Sequence, residues 1–247
     1  METKHGDQTL LEIVEENIKK WNVRNRRSEA QQRPMPVIAV SREAGSLGRV
    51  VAGRLAEKLG YRLYAENMIS LIAETAHVNE YSVLNIDEKG RSFVYDLLEE
   101  LNTKYRFQSG NYFNALVKTI ATINWQGGGV ILGRGAAFIV RGKKANLVVR
   151  FTAPLEWRIE NMARELEVDE DEARSRIHEL DSARRAFIRN YFSADIDDPH
   201  HFDLVINNEF MDVDESVAVV RAAMAGKIRG DAQVEELEAG IRRGGRP

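Results

Sequence analysis

A short loop near the start of the chain carries residue types that bind phosphate groups. Residues 41–49 read S-R-E-A-G-S-L-G-R and lie between a short apolar run and a stretch with helical periodicity. The two glycines allow backbone N–H groups to turn inward, the following helix N-terminus adds partial positive charge, and Arg49 adds a full charge. The loop therefore predicts a site for a phosphate chain. The alternative is a tight turn with glycine for steric reasons, since the common G-x-x-x-x-G-K-[ST] string is absent.

A second candidate for anion binding is Arg134, which follows another apolar run and lies between two glycines. This position predicts the carboxyl edge of a parallel sheet, where open α/β folds bind their ligands. The flanking glycines let a ligand come close to the chain. The alternative for Arg134 is a salt bridge with a neighbouring side chain.

Charged residues at helical spacing form a third group. Asp181, Arg184, Arg185 and Arg189 share roughly one face of a predicted helix. Such a face can bind a phosphorylated ligand, or it can simply be solvated.

Two more arginines, Arg158 and Arg164, lie on the preceding predicted helix. Phosphoryl transfer depends on positioned cations and exclusion of water more than on covalent chemistry by the protein. These arginines are therefore candidates for a mobile lid that closes over phosphates. Surface ion pairs with Glu160 or Glu167 are the alternative.

The composition excludes several classes of protein. The chain has 247 residues, with 35 Lys and Arg against 38 Asp and Glu, and its net charge of −3 disfavours a general nucleic-acid binder. It has no cysteine, which rules out disulfides, Cys-based zinc sites and thiolate nucleophiles. Apolar runs are too short to cross a bilayer, and the start lacks a secretory signal pattern. We therefore expect a cytoplasmic protein with no nucleic-acid or membrane partner.

The elements that must position these residues are alternating strands and helices. Short apolar runs at 37–40, 129–133, 147–151 and 202–207 predict buried strands. Helical periodicity predicts helices at 50–59, 66–77, 92–105, 111–126, 154–166, 169–191 and 213–227. Strands separated by helices predict an α/β fold with a parallel sheet covered on both sides.

We expect three parts along the chain. Residues 1–35 comprise an amphipathic helix at 10–21 and a polar, proline-containing linker. Residues 36–227 form the folded domain, and residues 228–247 form a frayed, flexible tail. The N-terminal helix either joins copies of the chain into a homo-oligomer or lies on the domain surface.

The run from Pro36 to Tyr61 resembles the opening of the cytidylate kinase-like family, P-loop proteins related to nucleoside monophosphate kinases. The family loop S-R-E-x-G-S-x-G-R is matched within 41–49. Four further segments match in order: V-I-L-G-R-G-A at 130–136, A-P-L-E-W-R-I at 153–159, D-S-A-R-R at 181–185 and F-D-L-V-I-N at 202–207. The resemblance covers about residues 36–227 and implies a three-layer P-loop NTPase-type fold with a helical lid.

The resemblance also implies an activity: ATP-dependent phosphoryl transfer to a nucleoside monophosphate, CMP or dCMP, with Mg²⁺ as cofactor. The residues expected to bind ATP are Arg42, Gly45, Ser46, Leu47, Gly48, Arg49 and Val50. Those expected to bind the acceptor are Arg134, Asp181, Ser182, Arg184 and Arg185. Those expected to act in catalysis are Arg49, Arg158 and Arg184.

Three positions depart from the pattern of well-studied monophosphate kinases. Arg49 stands where those enzymes carry the loop lysine, and it preserves the charge without guaranteeing the geometry. Val50 stands where a Ser or Thr would bind Mg²⁺, and Ala65 stands where an aspartate is usual. A non-catalytic nucleotide-binding regulatory protein is therefore an alternative, as is a kinase for another small phosphorylated metabolite.

The ligands of Mg²⁺ stay open at this point. Ser46, Glu43 and Glu66 are candidates, and the ion can also be held mainly by ATP oxygens and waters.

Overall fold

Five parallel strands form one sheet in the computed structural model. The structure describes residues 35–65, 69, 87–105, 111–140 and 146–244, without the side chains of residues 105, 111 and 231–244. The strands are β1 (Ile38–Arg42), β2 (Arg62–Tyr64), β3 (Gly129–Leu132), β4 (Leu147–Thr152) and β5 (Leu204–Asn207). Their order is β2-β3-β1-β4-β5, and every neighbouring pair is parallel. The carboxyl ends therefore lie at one edge of the sheet.

The described helices connect these strands. They are α1 (Gly48–Leu59), α2 (Glu88–Tyr105), α3 (Asn111–Gln126), α4 (Ala136–Ile139), α5 (Leu155–Leu166), α6 (Glu170–Phe192) and α7 (Val213–Gly244), with a 3₁₀ turn at Pro199–His201. Local residues set their ends. Gly60 closes α1 in the left-handed conformation, with φ 64°. The carboxylate of Asp169 caps α6 by accepting the N–H of Glu172 at 2.8 Å.

The central strand β1 explains why the sheet is covered on both sides. Ala39 packs into a cluster with residues of α3, whereas Ile38 and Val40 pack into a second cluster with residues of α1 and α7. Successive side chains of a strand point to opposite faces, so a strand that is buried along its whole length needs helices on both faces. The predicted three-layer α/β fold is confirmed.

A smaller apolar cluster joins helices α5 and α6 to the loop after β1. Ile159 and Met162 of α5 pack against Ala173 and Ile177 of α6, and the loop contributes Ala44, which is 3% exposed. These two helices are the ones predicted as a lid. In this structure they lie packed onto the loop through Ala44.

The predicted strands agree with the observed ones to within two residues. The helix predicted at 213–227 was placed too short, because it continues to Gly244. Residues 228–243 are rich in Glu and Arg, which favour helix, and the three glycines at 226, 230 and 240 do not interrupt it. The flexibility of the tail stays a prediction.

Two other predicted helices, at 10–21 and 66–77, lie outside the described residues apart from residue 69. The domain limits and an oligomer through residues 10–21 stay predictions. None of the helices in the described ranges is long and apolar enough to span a membrane.

Candidate functional site

The loop between β1 and α1 presents an open helix N-terminus. Within the described residues, no side chain caps α1, whose flanking residue Leu47 has a left-handed φ of 59°. The first N–H groups of a helix lack partners within the helix, and they carry partial positive charge. Arg49 and Val50 in the first turn are both exposed. The predicted strand–loop–helix arrangement is present, and its terminus has the chemistry to receive a phosphate group.

Both loop glycines are also required by close packing. A Cβ on Gly48 would lie 2.7 Å from Cβ of Arg42 and 2.9 Å from Cβ of Phe151. A Cβ on Gly45, which has φ +78°, would lie 2.5 Å from the carbonyl oxygen of Arg158. The steric explanation of these glycines is therefore correct. It stands together with the anion-binding explanation, because tight packing is what holds the loop in shape.

Hydrogen bonds to β4 hold the beginning of the loop. The N–H of Glu43 donates to the carbonyl of Phe151 at 3.0 Å. Ser46 is fully buried, and its hydroxyl donates to the carbonyl of Glu43 at 2.9 Å, with a second carbonyl, that of Phe151, at 3.3 Å. The hydroxyl of Ser46 is thus engaged by the backbone. Within the described ranges, no group of three His, Asp or Glu side chains is placed to hold a metal ion.

A buried carboxylate, that of Asp181 on α6, holds the middle of the loop. Its Oδ1 accepts the N–H of Ala44 at 2.9 Å, and its Oδ2 accepts Nη1 of Arg158 at 2.7 Å. Nη1 of Arg184 also donates to Oδ1, at 3.2 Å. Asp181 and Arg158 are 6% and 7% exposed. Asp181 therefore lies between the loop and two arginines.

Arg158 is buried, so the surface ion pairs expected as an alternative are wrong for this residue, and its part in a lid stays a prediction. Its Nε donates to the carbonyl of Ala153 at 3.0 Å and its Nη1 to the carbonyl of Ala44 at 3.1 Å, besides the pair with Asp181. The side chain is a buried link between α5, α6 and the loop. The sequence could not show this, because the counter-charge comes from another helix, 23 residues away. Arg164 is exposed and bonds to Asn161 instead of Glu160 or Glu167.

A pocket of about 260 Å³ opens at the carboxyl ends of β1 and β3. Three arginines line it: Arg42, Arg134 and Arg184. Its wall is otherwise mainly apolar and includes Leu180, Phe138, Phe187, Ile188 and Ile196. No carboxylate side chain from the described ranges contributes to the lining. The pocket therefore suits an anion attached to a flat or apolar group.

Arg134 enters this pocket from a strained turn. Gly133, Arg134 and Gly135 have φ values of 77°, 50° and 71°, a left-handed run that only glycine adopts easily. The guanidinium lies 5.9 Å from the ring centre of Phe187. Its Nε is buried and has no hydrogen-bond partner among the described residues. A buried donor without a partner in a strained turn makes Arg134 a candidate for ligand binding.

The predicted site residues thus divide into groups. Arg134 and Arg184, expected at the acceptor, do share one pocket, and Arg42, expected at ATP, joins them there. Ser182 is exposed and Arg185 pairs with Asp197 at 2.8 Å, and neither lines the pocket. Their roles in binding stay predictions.

Sequence reasoning missed a second charged cluster behind the pocket. Arg150 of β4 is 4% exposed, forms an ion pair with Asp197, and donates to the hydroxyl of Ser41 at 3.0 Å. Burial lowers the pKa of Arg150, and the carboxylates of Asp197 and Glu43 oppose that shift. The signal was available: one arginine inside the apolar run L-V-V-R-F-T needs a buried partner. The apolar pocket wall gave no such signal.

Comparison with family models finds that residues 37–209, more than half of the chain, match the cytidylate kinase-like family. The chain belongs to this family. The resemblance inferred from the loop and the four later segments is therefore confirmed.

Relatives of this cytidylate kinase-like chain include archaeal proteins. The cytidylate kinase of Methanocaldococcus jannaschii is 29% identical over 124 residues, which cover 49% of this chain and 70% of that protein. The cytidylate kinase of Thermococcus sibiricus is 36% identical over 95 residues, which cover 38% of this chain and 48% of that protein. The match thus spans about half the length of the Thermococcus protein. These relatives support a phosphotransferase.

Among solved structures, an uncharacterized protein from Eubacterium ventriosum shares the fold. It superposes with a TM-score of 0.60 at 21% sequence identity, over 78% of this chain and 99% of that one. The fold of this chain is therefore also present in an experimentally determined structure.

Proposed function

We propose that this protein transfers a phosphoryl group from ATP to a nucleoside monophosphate, CMP or dCMP. The observation that carries the proposal is the placement of Arg134 and Arg184 in one pocket at the sheet edge that also bears the open N-terminus of α1. The phosphate of an acceptor in the pocket and the terminal phosphate of ATP at the helix N-terminus can then come next to each other. Family membership supports the same reaction class.

The donor side of the site is the loop and the first turn of α1. The N–H groups of that turn and the charge of Arg49 would receive the ATP phosphates. Arg49 is exposed, so its guanidinium can reach a bound phosphate chain without breaking a buried contact. Among the described residues, no group of three His, Asp or Glu side chains is placed to hold a metal ion. Mg²⁺ would enter the site coordinated by phosphate oxygens of ATP.

The acceptor side is the pocket. Arg134 would bind the acceptor phosphate, since its buried Nε lacks a hydrogen-bond partner among the described residues and its guanidinium lines the pocket. Phe187, over which Arg134 lies, and Phe138 provide apolar surface for a planar base. Arg184 adds a second cation to the same space.

The chemistry needs no strong general base. An oxygen of the acceptor phosphate, already anionic, attacks the γ-phosphorus in line. The bond from that phosphorus to the bridging oxygen breaks, and ADP leaves with the electron pair. The arginines stabilise the charge on the transferring group.

Two alternative functions each rest on an observation. A nucleotide-binding regulatory protein is favoured by Val50, which has no hydroxyl, and by Ser46, whose hydroxyl is engaged by the backbone. A kinase for another phosphorylated metabolite is favoured by the mainly apolar pocket wall, which carries no carboxylate from the described residues to recognise a base.

The first experiment is to incubate the protein with Mg-ATP and each of CMP, dCMP, UMP, AMP and GMP, and to separate ADP and the new diphosphate by chromatography. We expect transfer to CMP or dCMP that Arg49→Ala and Arg134→Ala abolish. Arg54→Ala, on the exposed face of α1, serves as the matched control. Tight ATP binding without transfer to any of these acceptors would contradict the proposal and favour a regulatory protein.

A further inference from the structure

We propose that Asp181 is a positioning residue that couples the two halves of the site: its buried carboxylate fixes the phosphate-binding loop and orients the pocket residue Arg184. This inference rests on the proposed function and assigns to Asp181 a role other than direct contact with the acceptor. It follows from which atoms the carboxylate touches.

The carboxylate of Asp181 already accepts three hydrogen bonds from protein groups. Oδ1 accepts the N–H of Ala44 at 2.9 Å and Nη1 of Arg184 at 3.2 Å, and Oδ2 accepts Nη1 of Arg158 at 2.7 Å. Asp181 is 6% exposed and does not line the pocket. To contact an acceptor in the pocket, the side chain would have to leave this buried position and break its charge-assisted bonds, which is costly.

At the loop, side chains from α5 and α6 bind the backbone N–H and the carbonyl of the same residue, Ala44. Ala44 donates its N–H to Asp181 and accepts from Arg158 at 3.1 Å through its carbonyl. Its methyl group is buried against Ile159 and Met162. The N–H of Ala44 is therefore directed at a carboxylate and away from any bound phosphate. Asp181 thus decides which loop N–H groups face the ligand.

At the pocket, the same carboxylate restrains an arginine. Arg184 lies one helical turn after Asp181, and its guanidinium bonds to Oδ1 while the side chain lines the pocket. Holding the guanidinium in this way reduces the rotamer freedom that an arginine must lose when it binds an anion.

One carboxylate therefore touches a loop residue and a pocket residue that are 140 positions apart in the chain. A ligand that shifts the loop changes the geometry of the Asp181–Ala44 bond, and through Oδ1 it changes the position of Arg184. By linkage, donor and acceptor must then alter each other's affinity by the same factor.

The test compares the wild type with Asp181→Asn, which keeps the shape and one acceptor oxygen but removes the charge. Calorimetry measures the Kd of a non-hydrolysable ATP analogue and of CMP, each alone and with the other bound. Hydrogen exchange of residues 41–50 is followed without ligand. Glu179→Gln, an exposed acid-to-amide change on the same helix, is the control.

We expect the wild type and Glu179→Gln to bind the two ligands cooperatively, by about tenfold, as is usual for coupled sites. In Asp181→Asn the cooperativity falls to about onefold, both affinities weaken, and the loop amides exchange faster. If Asp181→Asn does not fold, the double variant Asp181→Asn/Arg158→Gln removes the unpaired buried charge and carries the same expectation.

Two results would overturn the inference: unchanged exchange of the loop amides, or loss of CMP affinity alone with ATP binding intact. The second would mean that Asp181 contacts the acceptor directly. Failure of the proposed function looks different. If the proposed function is wrong, the wild type itself binds neither ligand. Faster hydrogen exchange of the loop amides in Asp181→Asn would still support Asp181 as the group that fixes the loop.

Discussion

Gly135 lies against the ring of Phe192 so closely that a Cβ on the glycine would come within 2.4 Å of Cε2. Phe192 is itself buried and stacks on Phe138, with ring centres 4.9 Å apart. The strained turn that carries Arg134 is therefore supported from below by the aromatic core. The position of Arg134 depends on this packing as much as on its own backbone.

We expect Gly135→Ala to lower the free energy of unfolding by about 2–4 kcal/mol, since it combines a left-handed φ with overpacking. Chemical denaturation measures the change. Gly53→Ala on α1 is the matched control, because a Cβ there meets nothing within 4 Å and alanine favours helix by about 1 kcal/mol. Equal effects of the two substitutions would contradict the packing argument.

Arg134→Lys should raise the KM for the acceptor by about 10- to 100-fold, because lysine keeps the charge but loses the planar bidentate geometry. The KM for ATP should stay unchanged. Steady-state kinetics at saturating ATP measures the effect, with Arg54→Lys as control. An unchanged acceptor KM would remove Arg134 from the site.

The ring of Phe187 should contribute to acceptor binding. Phe187→Ala removes an apolar wall of the pocket and the ring beneath Arg134, and we expect CMP to bind about tenfold more weakly, with ATP-analogue affinity unchanged. Calorimetry gives both constants. Phe210→Ala, at a side chain that is 78% exposed, is the control. Equal losses for both ligands would indicate general unfolding instead.

Arg150→Met should lower the free energy of unfolding by about 1–3 kcal/mol. This loss is smaller than that for breaking a fully buried ion pair, because Asp197 is partly exposed and keeps its ion pair with Arg185. Denaturant unfolding measures this. Arg150→Met/Asp197→Asn should recover part of the loss. Arg174→Met, which breaks an exposed pair with Glu156, should change nothing measurable. No loss in Arg150→Met would show that the ion pair between Arg150 and Asp197 is not stabilising.

The stability contributed by Asp198 should depend on pH. Hydrogen bonds from the backbone N–H and then the ring of His200 lower the pKa of Asp198 below its ordinary value of 3.8. A depressed carboxyl pKa stabilises the fold fully above 3.8, and this stability is lost as the pH falls through the lower, folded value.

Thermal unfolding of the wild type and Asp198→Asn tests this dependence. The variant should melt at a lower temperature at pH 6, and the difference should shrink as the pH is lowered below 3.8. A difference that is constant with pH would mean that the charge of Asp198 contributes nothing.

Much of the framework could be predicted because it is encoded in contiguous residues. The run V-I-A-V followed by a glycine-containing loop and helical periodicity specifies strand, turn and helix locally, since backbone preferences and burial patterns repeat over a few positions. The same reasoning predicted the parallel sheet and the position of Arg134 at its edge. The end of α7 was predicted wrongly because weak helix preferences, summed over many residues, outweigh three glycines.

The pairing of side chains was decided by the tertiary structure alone. Ala44 and Asp181 are 137 residues apart, and nothing local indicates that the backbone N–H of one meets the carboxylate of the other. From the sequence, Arg158 and Arg42 were both expected to bind phosphate groups. Packing buried the first against Asp181 and placed the second in the pocket with Arg134. The sequence determined which charges the site contains. How they are paired depends on which helices meet over the loop, because the energy of a charge depends on the distance and burial of its partners.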